Sequence, residues 1–211
     1  MRCLPIPGKE NEFSKAQEYW RDIVNCSGFI GQFGGWDILS PQALILAFWQ
    51  NQESIDRFMD EVHDRIANLS QQQLTYEYCT VDYLNIQMSI AAMNTPDLSK
   101  IGYVRMANCL LYPDGRENFF ADQKSIWNPS MSSCSGMLGG YVGQFNQEAS
   151  RYLVISFWDS AQSHSDYVNN LFPKLEGKVD IEQYIKDLSG HQFLINTKWN
   201  VFPQNVNHTK G

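Results

Sequence analysis

The chain has 211 residues, of which 43% are hydrophobic and 13% aromatic, and its net charge is −7. This length suits one sizeable domain or two small ones, and the composition is that of an ordinary globular protein. The acidic balance argues against a nucleic-acid partner and against an anionic membrane surface, because both require clustered Lys and Arg.

Neither a membrane span nor an export signal is expected. The longest apolar run, Ala43–Trp49, is far short of the roughly 20 residues that cross a bilayer. The N-terminal MRCLPIPGKENEF lacks the apolar segment of a signal peptide. We therefore expect a cytoplasmic protein. Its five cysteines are odd in number and show no C-x-x-C spacing, which favours buried or half-buried free thiols over a zinc or redox site.

One glycine-rich phrase occurs twice in the chain. CSGFIGQFGGW (26–36) aligns with CSGMLGGYVGQ (134–144), with identical Cys, Ser and three Gly. The match extends downstream, where LILAFW (44–49) aligns with LVISFW (153–158), and upstream, where RCLPIPGKENEF resembles NCLLYPDGRENFF. Such self-similarity predicts a tandem duplication with about one hundred residues per copy.

Each copy is predicted to form strand, helix, strand, strand, helix and strand. In the first copy these elements cover 1–6, 10–24, 28–36, 43–49, 51–68 and 76–86. In the second copy they cover 103–112, 116–128, 136–145, 151–158, 160–175 and 191–200. The predicted boundaries are a first repeat over 1–86, a linker over 87–101, a second repeat over 102–200 and a polar tail over 201–211. Pro5 conflicts with this order, because it lies in a strand that would be central in its sheet.

A βαββαβ unit covers one face of its sheet with helices and leaves the other face apolar. Two tethered copies can bury these faces against each other at little entropic cost. The predicted fold class is therefore α+β, with two tandem ferredoxin-like repeats forming an intramolecular dimeric α+β barrel. The expected species is a monomeric pseudo-dimer, with further oligomerisation left open.

The first copy resembles a known domain type. Trp20, GFIGQFGGW (28–36), AFW (47–49) and FMDEVHDRI (58–66) are similar to the uncharacterised YdbC-type domain. This domain resembles the dimeric α+β barrel superfamily, which contains the antibiotic-biosynthesis-type monooxygenases. The resemblance implies a fold but no reaction, because that superfamily includes cofactor-free oxygenases, isomerases, decarboxylases, haem-degrading enzymes and non-catalytic stress proteins.

The glycine phrase is a candidate ligand site. Strand alternation would place Gly31 and Gly35 on the same face as Phe29 and Phe33, leaving gaps beside the rings that could admit a flat ligand. Alternatively, such glycines permit close packing or mark a β-bulge. The phrase lacks a G-x-G-x-x-G that opens a helix, so it does not predict a nucleotide site.

Three tryptophans complete the candidate ligand residues. Trp36 ends the glycine phrase, and Trp49 and Trp158 end the third strand of their copies. The repetition of the latter two at equivalent positions is equally typical of core packing.

Two histidines are candidate catalytic acids or bases. On a helical wheel at about 100° per residue, His63 lies roughly 80° from Ile55, at the edge of the apolar stripe of its helix. It could face a pocket, or it could be a half-exposed residue beside Asp64. His164 lies at the centre of the equivalent stripe, where it needs a polar partner, unless it is solvated at the domain edge.

No cofactor or metal is predicted. His63 lacks a second ligand at helical spacing on its own face, and neither second helix contains the Trp that haem-degrading relatives use. Two functions remain open. One is binding of a small apolar or aromatic molecule between sheet and helices, by an uncharacterised or stress-related module. The other is cofactor-independent, oxygenase-like or isomerase-like catalysis with His63 or His164 as the proton carrier.

Overall fold

The structure is a computed structural model that describes residues 1–90 and 98–203, and the chain divides into two compact units. The first unit comprises 1–36, 40–80 and the segment from Asn196. The second comprises 37–39 and 81–195. Within the described residues, no helix has both the length and the apolar character that crossing a membrane requires.

The first unit contains a four-stranded antiparallel sheet in the order β2-β3-β1-β4, which is the ferredoxin-like order. Its elements are β1 (Arg2–Pro5), α1 (Glu10–Gln17) continued by a 3₁₀ helix (Glu18–Asn25), β2 (Phe29–Trp36), β3 (Ala43–Trp49), α2 (Gln52–Phe58), a π-helical turn (Met59–His63), α3 (Asp64–Ser70) and β4 (Tyr76–Thr80).

The second unit repeats this plan with one extra edge strand, in the order β5-β7-β8-β6-β9. Its elements are β5 (Leu84–Ile90), β6 (Tyr103–Leu111), α4 (Arg116–Asp122), a π-helical turn (Gln123–Trp127), α5 (Asn128–Ser132), β7 (Met137–Phe145), β8 (Arg151–Trp158), α6 (Ala161–Asn170), α7 (Phe172–Glu176) and β9 (Ile185–Leu194). The predicted α+β class with two ferredoxin-like repeats is confirmed.

The boundaries of the two units differ from the predicted repeats. The predicted last strand of the first copy (76–86) is two strands, of which β5 pairs with β7 in the second unit. Part of the predicted linker 87–101 is therefore strand, while its residues 91–97 lie outside the described residues, as does the tail from 204. The last strand of the second copy is β9, which ends before the predicted 191–200 does.

The segment from Asn196 to Val201 packs in the first unit, although it follows the second repeat in sequence. Val201 pairs with Gln32 of β2 through two backbone hydrogen bonds of 2.8 and 2.9 Å. Trp199 is fully buried against Phe13 of α1. Burial of this large ring explains the crossing, which the repeat pattern does not predict.

The repeated glycine phrase has the same structural role in both copies. Gly28 and Gly136 adopt φ values of +77° and +82°, which favour glycine. A Cβ at Gly28 would lie 2.7 Å from the Cβ of Ser54, and one at Gly136 would lie 2.6 Å from the Cβ of Ser163. Both serines lie in the first turn of the second helix of their unit, so each glycine permits close packing of that helix against the sheet.

A β-bulge interrupts the strand that each phrase forms. The register shifts between Phe29 and Gly31 in β2 and between Met137 and Gly139 in β7. The bulge that the glycine pattern allowed is therefore present in both copies. Pro5 is also tolerated by irregularity: it is the last residue of β1, where the register with β4 shifts.

Cys3 and Cys79 form a disulfide between directly opposed positions of β1 and β4. The expectation that all cysteines are free thiols is therefore wrong for this pair, because the pairing of two distant strands brings them together. Cys26, Cys109 and Cys134 are free.

Candidate functional site

The candidate site lies on the side of the second unit's sheet that α6 covers. Ser160 caps this helix by accepting a hydrogen bond of 3.2 Å from the backbone N–H of Ser163. Because α6 begins after Ser160, His164 lies in its first turn and faces the sheet, where the residue is only 8% exposed. The alternative of a solvated histidine at the domain edge is therefore wrong.

Aromatic rings surround His164. Its ring centroid lies 5.0 Å from that of Tyr103 on β6 and 5.4 Å from that of Trp158 on β8. Tyr167, one turn further along α6, packs on Trp158 at 5.6 Å. The sequence-predicted residues His164 and Trp158 are thus neighbours.

Most polar atoms of these side chains are satisfied internally. Trp158 Nε1 donates to Ser156 Oγ at 3.0 Å, and the Tyr103 hydroxyl donates to Gln192 Oε1 on β9. Burial raises the pKa of Tyr103, so its hydroxyl stays protonated at neutral pH.

The imidazole of His164 differs from the side chains of Tyr103 and Trp158. Within residues 1–90 and 98–203 neither of its ring nitrogens has a hydrogen-bond partner, and both keep some contact with solvent. Burial, together with the charge of Arg105, lowers the pKa of His164 to about 4. The ring is therefore neutral at pH 7 and presents an unused acceptor nitrogen.

Arg105 lies on the same side of β6 as Tyr103, two residues along the strand, and directly opposite Gln192 of β9. Its Nη1 donates to the backbone carbonyls of Met106 and, at 3.4 Å, His191. Gly190 makes room for the guanidinium, since a Cβ there would lie 2.8 Å from its Cζ. Sequence reasoning missed Arg105, although a charged residue inside a strand predicted to be central was a usable signal.

The second histidine candidate, His63, is in the first unit. Its Nδ1 lies 2.9 Å from Asp64 Oδ1, and its side chain is 32% exposed. The rings of Trp20 and Phe58 lie 5.4 and 5.8 Å away. This half-exposed placement beside Asp64 is one of the two alternatives given by the sequence.

The aromatic candidates of the glycine phrase do not form one site. Phe29 packs with Trp49 among residues of the helix-facing core, and Trp36 contacts Phe13 of α1. Phe33 instead stacks on Phe48, on the opposite face of the sheet. The prediction that Phe29 and Phe33 share a face is wrong, because the bulge after Phe29 inserts one residue and reverses the alternation. Gly31 follows this bulge.

A buried acid–histidine pair in the second unit was also missed. Asp37 Oδ2 lies 2.9 Å from His191 Nδ1, and the Asp37 side chain is fully buried. Its Oδ1 accepts hydrogen bonds from the backbone N–H groups of Gln192, at 3.0 Å, and Leu39, at 3.4 Å. The two residues are separated by more than 150 positions, and no local pattern joins them.

Two open depressions lie between β5 and the first helix of the second unit. One, of about 560 Å³, is lined by Gln87, Asp114, Arg116, Glu117 and Phe120. The other, of about 410 Å³, is lined by Met88, Ser89, Lys124, Asn128, Pro129 and Ser132. Neither contains a sequence-predicted site residue. In the described part of the chain, no three His, Cys, Asp or Glu side chains converge in a way that could hold a metal ion.

The first repeat is similar to known sequences. Residues 1–84 match the model of a domain of unknown function (DUF4937). Over 76 residues the chain is 39% identical to the uncharacterized protein YdbC of Bacillus subtilis. This alignment covers 35% of the chain and 64% of YdbC. The predicted similarity to a YdbC-type domain is confirmed.

Solved structures show the same fold at low sequence identity. A candidate monooxygenase from Lactobacillus acidophilus is 12% identical with a TM-score of 0.71, covering 95% of this chain and 93% of that one. A second, from Fusobacterium nucleatum, is 11% identical with a TM-score of 0.73, covering 92% and 89%. An anthrone oxidase-like protein is 12% identical with a TM-score of 0.61, covering 88% and 86%. The monooxygenase-like fold is thereby confirmed.

Proposed function

We propose that this protein binds a small planar aromatic molecule beside His164, on the helix-covered side of the second unit's sheet. The observation that carries the proposal is the state of the His164 side chain. It is buried among aromatic rings, yet within the described residues its ring nitrogens have no hydrogen-bond partner. A nitrogen that is only partly hydrated and has no protein partner gains a hydrogen bond when a ligand's hydroxyl or N–H reaches it.

The surroundings favour an aromatic ligand over an aliphatic one. Tyr103 and Trp158 pack on the His164 ring at centroid distances of 5.0 and 5.4 Å, so a ligand that reached the His164 nitrogens would meet aromatic neighbours. The fold is shared with an anthrone oxidase-like protein, whose name refers to a planar tricyclic ketone. The low pKa of His164 keeps the ring uncharged at pH 7, so it accepts a hydrogen bond without paying for desolvation of a charge.

Isothermal titration calorimetry with 2-naphthol at pH 7.5 tests this proposal. The wild-type protein should bind 2-naphthol, and His164→Ala should weaken binding about tenfold, since one hydrogen bond of roughly 1 to 1.5 kcal/mol is lost. His63→Ala, which removes the histidine of the first unit, serves as the matched control and should bind like the wild type. The proposal is wrong if 2-naphthol does not bind, or if the two variants bind equally well.

Cofactor-independent catalysis is the second candidate function. The neutral imidazole can accept a proton from the hydroxyl or the C–H of an aromatic substrate, and because burial and the charge of Arg105 make it a weak base, only an acidic substrate proton would be transferred. The same residue would then bind and activate the ligand. Anaerobic and aerobic incubation of the protein with anthrone, followed by chromatography, separates the two functions. If the wild type converts anthrone and His164→Ala does not, the result supports catalysis. If anthrone stays unchanged while 2-naphthol still binds, the result supports binding alone.

A further inference from the structure

We infer that the ligand of this site is an aromatic acid, whose carboxylate is bound by Arg105. The inference rests on the proposed function, because it names the chemical class of the molecule that lies beside His164. It starts from the unused hydrogen-bonding groups of Arg105.

The guanidinium of Arg105 is held in place by only one of its three nitrogens. Nη1 donates to the carbonyls of Met106 and His191, whereas Nε and Nη2 have no acceptor within residues 1–90 and 98–203. Neither of these nitrogens is sealed from solvent. They form one straight edge of the planar group, and this edge matches the two oxygens of a carboxylate.

No protein carboxylate forms an ion pair with Arg105 in the described part of the chain. Asp37 acts on its charge, but hydrogen bonds from His191 and from the backbone N–H groups of Gln192 and Leu39 engage that carboxylate. A half-buried guanidinium of this kind has lost part of its hydration without gaining an anionic partner. An external anion would compensate for that loss.

The position of Arg105 connects this edge to the aromatic site. Tyr103 lies two residues away on the same face of β6 and packs on His164. The charge of Arg105 contributes to the low pKa of His164, which places the two groups within electrostatic range. Gly190 keeps the space beside β9 open for the guanidinium. A ligand with a ring against Tyr103 and a carboxylate on its edge would engage both groups.

Calorimetry with 2-naphthoate and its neutral isostere 2-naphthamide tests the inference at pH 7.5. The wild-type protein should bind the acid at least about tenfold more tightly than the amide, as expected for charge-assisted hydrogen bonds. Arg105→Gln should remove this preference and leave binding of the amide unchanged. Arg105→Lys should keep part of the preference, because it preserves the charge but not the two-nitrogen edge.

Arg57→Gln is the matched control, since it removes the same charge from an exposed ion pair with Glu53 on α2. It should leave the preference unchanged. If Arg105→Gln does not fold, the Nε–H resonance of Arg105 in the wild type gives an independent readout. That resonance should shift on addition of naphthoate and stay in place with naphthamide.

The outcomes separate the two proposals. Equal affinity for acid and amide, a preference that survives in Arg105→Gln, or an unshifted Nε–H resonance at saturating naphthoate overturns the assignment to Arg105. In each of these cases the aromatic site stands as long as 2-naphthol binding depends on His164. Absence of binding by naphthol, acid and amide alike overturns both.

Discussion

Replacement of Gly136 by alanine should destabilise the protein by about 3 to 4 kcal/mol. Its φ of +82° costs an alanine about 1 to 2 kcal/mol. The new Cβ would also lie 2.6 Å from the Cβ of Ser163, so the first turn of α6 must move. That shift breaks the hydrogen bonds from Ser163 Oγ to Asp159 Oδ1, at 2.6 Å, and from Ser163 N to Ser160 Oγ, each worth about 1 kcal/mol.

Three other glycines separate the two contributions. Gly8 has a φ of +86° and nothing within 4 Å of its added Cβ, so Gly8→Ala should show the backbone cost alone, about 1 to 2 kcal/mol. Gly177, at a φ of −74° with nothing within 4 Å, should tolerate alanine with little change. Gly28→Ala should resemble Gly136→Ala, because its Cβ meets Ser54 in the same way.

Urea denaturation followed by tryptophan fluorescence, with circular dichroism as the second probe, gives the free energies of unfolding. The reasoning is refuted if Gly136→Ala costs no more than Gly8→Ala. In a Ser163→Gly background, Gly136→Ala should cost less than in the wild type, because the side chain that the new Cβ meets is already absent.

Three further predictions concern groups that the sequence pattern alone does not connect. The pKa of His164 falls from 6.5 to about 4 on folding, so between these pH values the unfolded chain binds more protons than the folded one. The free energy of unfolding should therefore drop by about 2 kcal/mol from pH 7 to pH 4.5. In acid denaturation curves, His164→Phe should lack this part of the drop. Cys79→Ser should lower the free energy of unfolding by about 4 kcal/mol in oxidising buffer, since the Cys3–Cys79 link joins positions 76 residues apart. A reductant that leaves the wild-type midpoint unchanged would contradict this. Asp37→Asn should lower the free energy of unfolding by about 2 kcal/mol, because it weakens the hydrogen bonds of this side chain with His191 and with the backbone. If the same substitution costs as much in a His191→Gln background, the two side chains are not coupled.

Sequence reasoning reached the fold because repetition and periodicity are local signals. The two copies of the glycine phrase, and the apolar runs that follow them, define equivalent strands in equivalent sheets. The conformation behind Gly28 and Gly136 is also local, since a positive φ depends on the residue itself.

The candidate site was only partly predictable. His164 was identified from its place on a helical stripe, but Arg105 and Gln192 join it through the pairing of β6 with β9, about ninety residues apart in the chain. Register between distant strands is set by tertiary packing rather than by local sequence. A single bulge after Phe29 was enough to reverse which aromatic residues share a face of β2.

The return of the segment from Asn196 to Val201 to the first unit has a consequence for dissecting the molecule. A fragment that ends at residue 86, where the first repeat stops in sequence, would lack the indole of Trp199 that fills the space against Phe13 and Trp36. It would also leave the backbone of Gln32 without its two bonds to Val201. The boundary between the two sequence repeats is therefore not a boundary between independent structural units. Each unit includes a segment of chain that lies next to the other repeat in sequence.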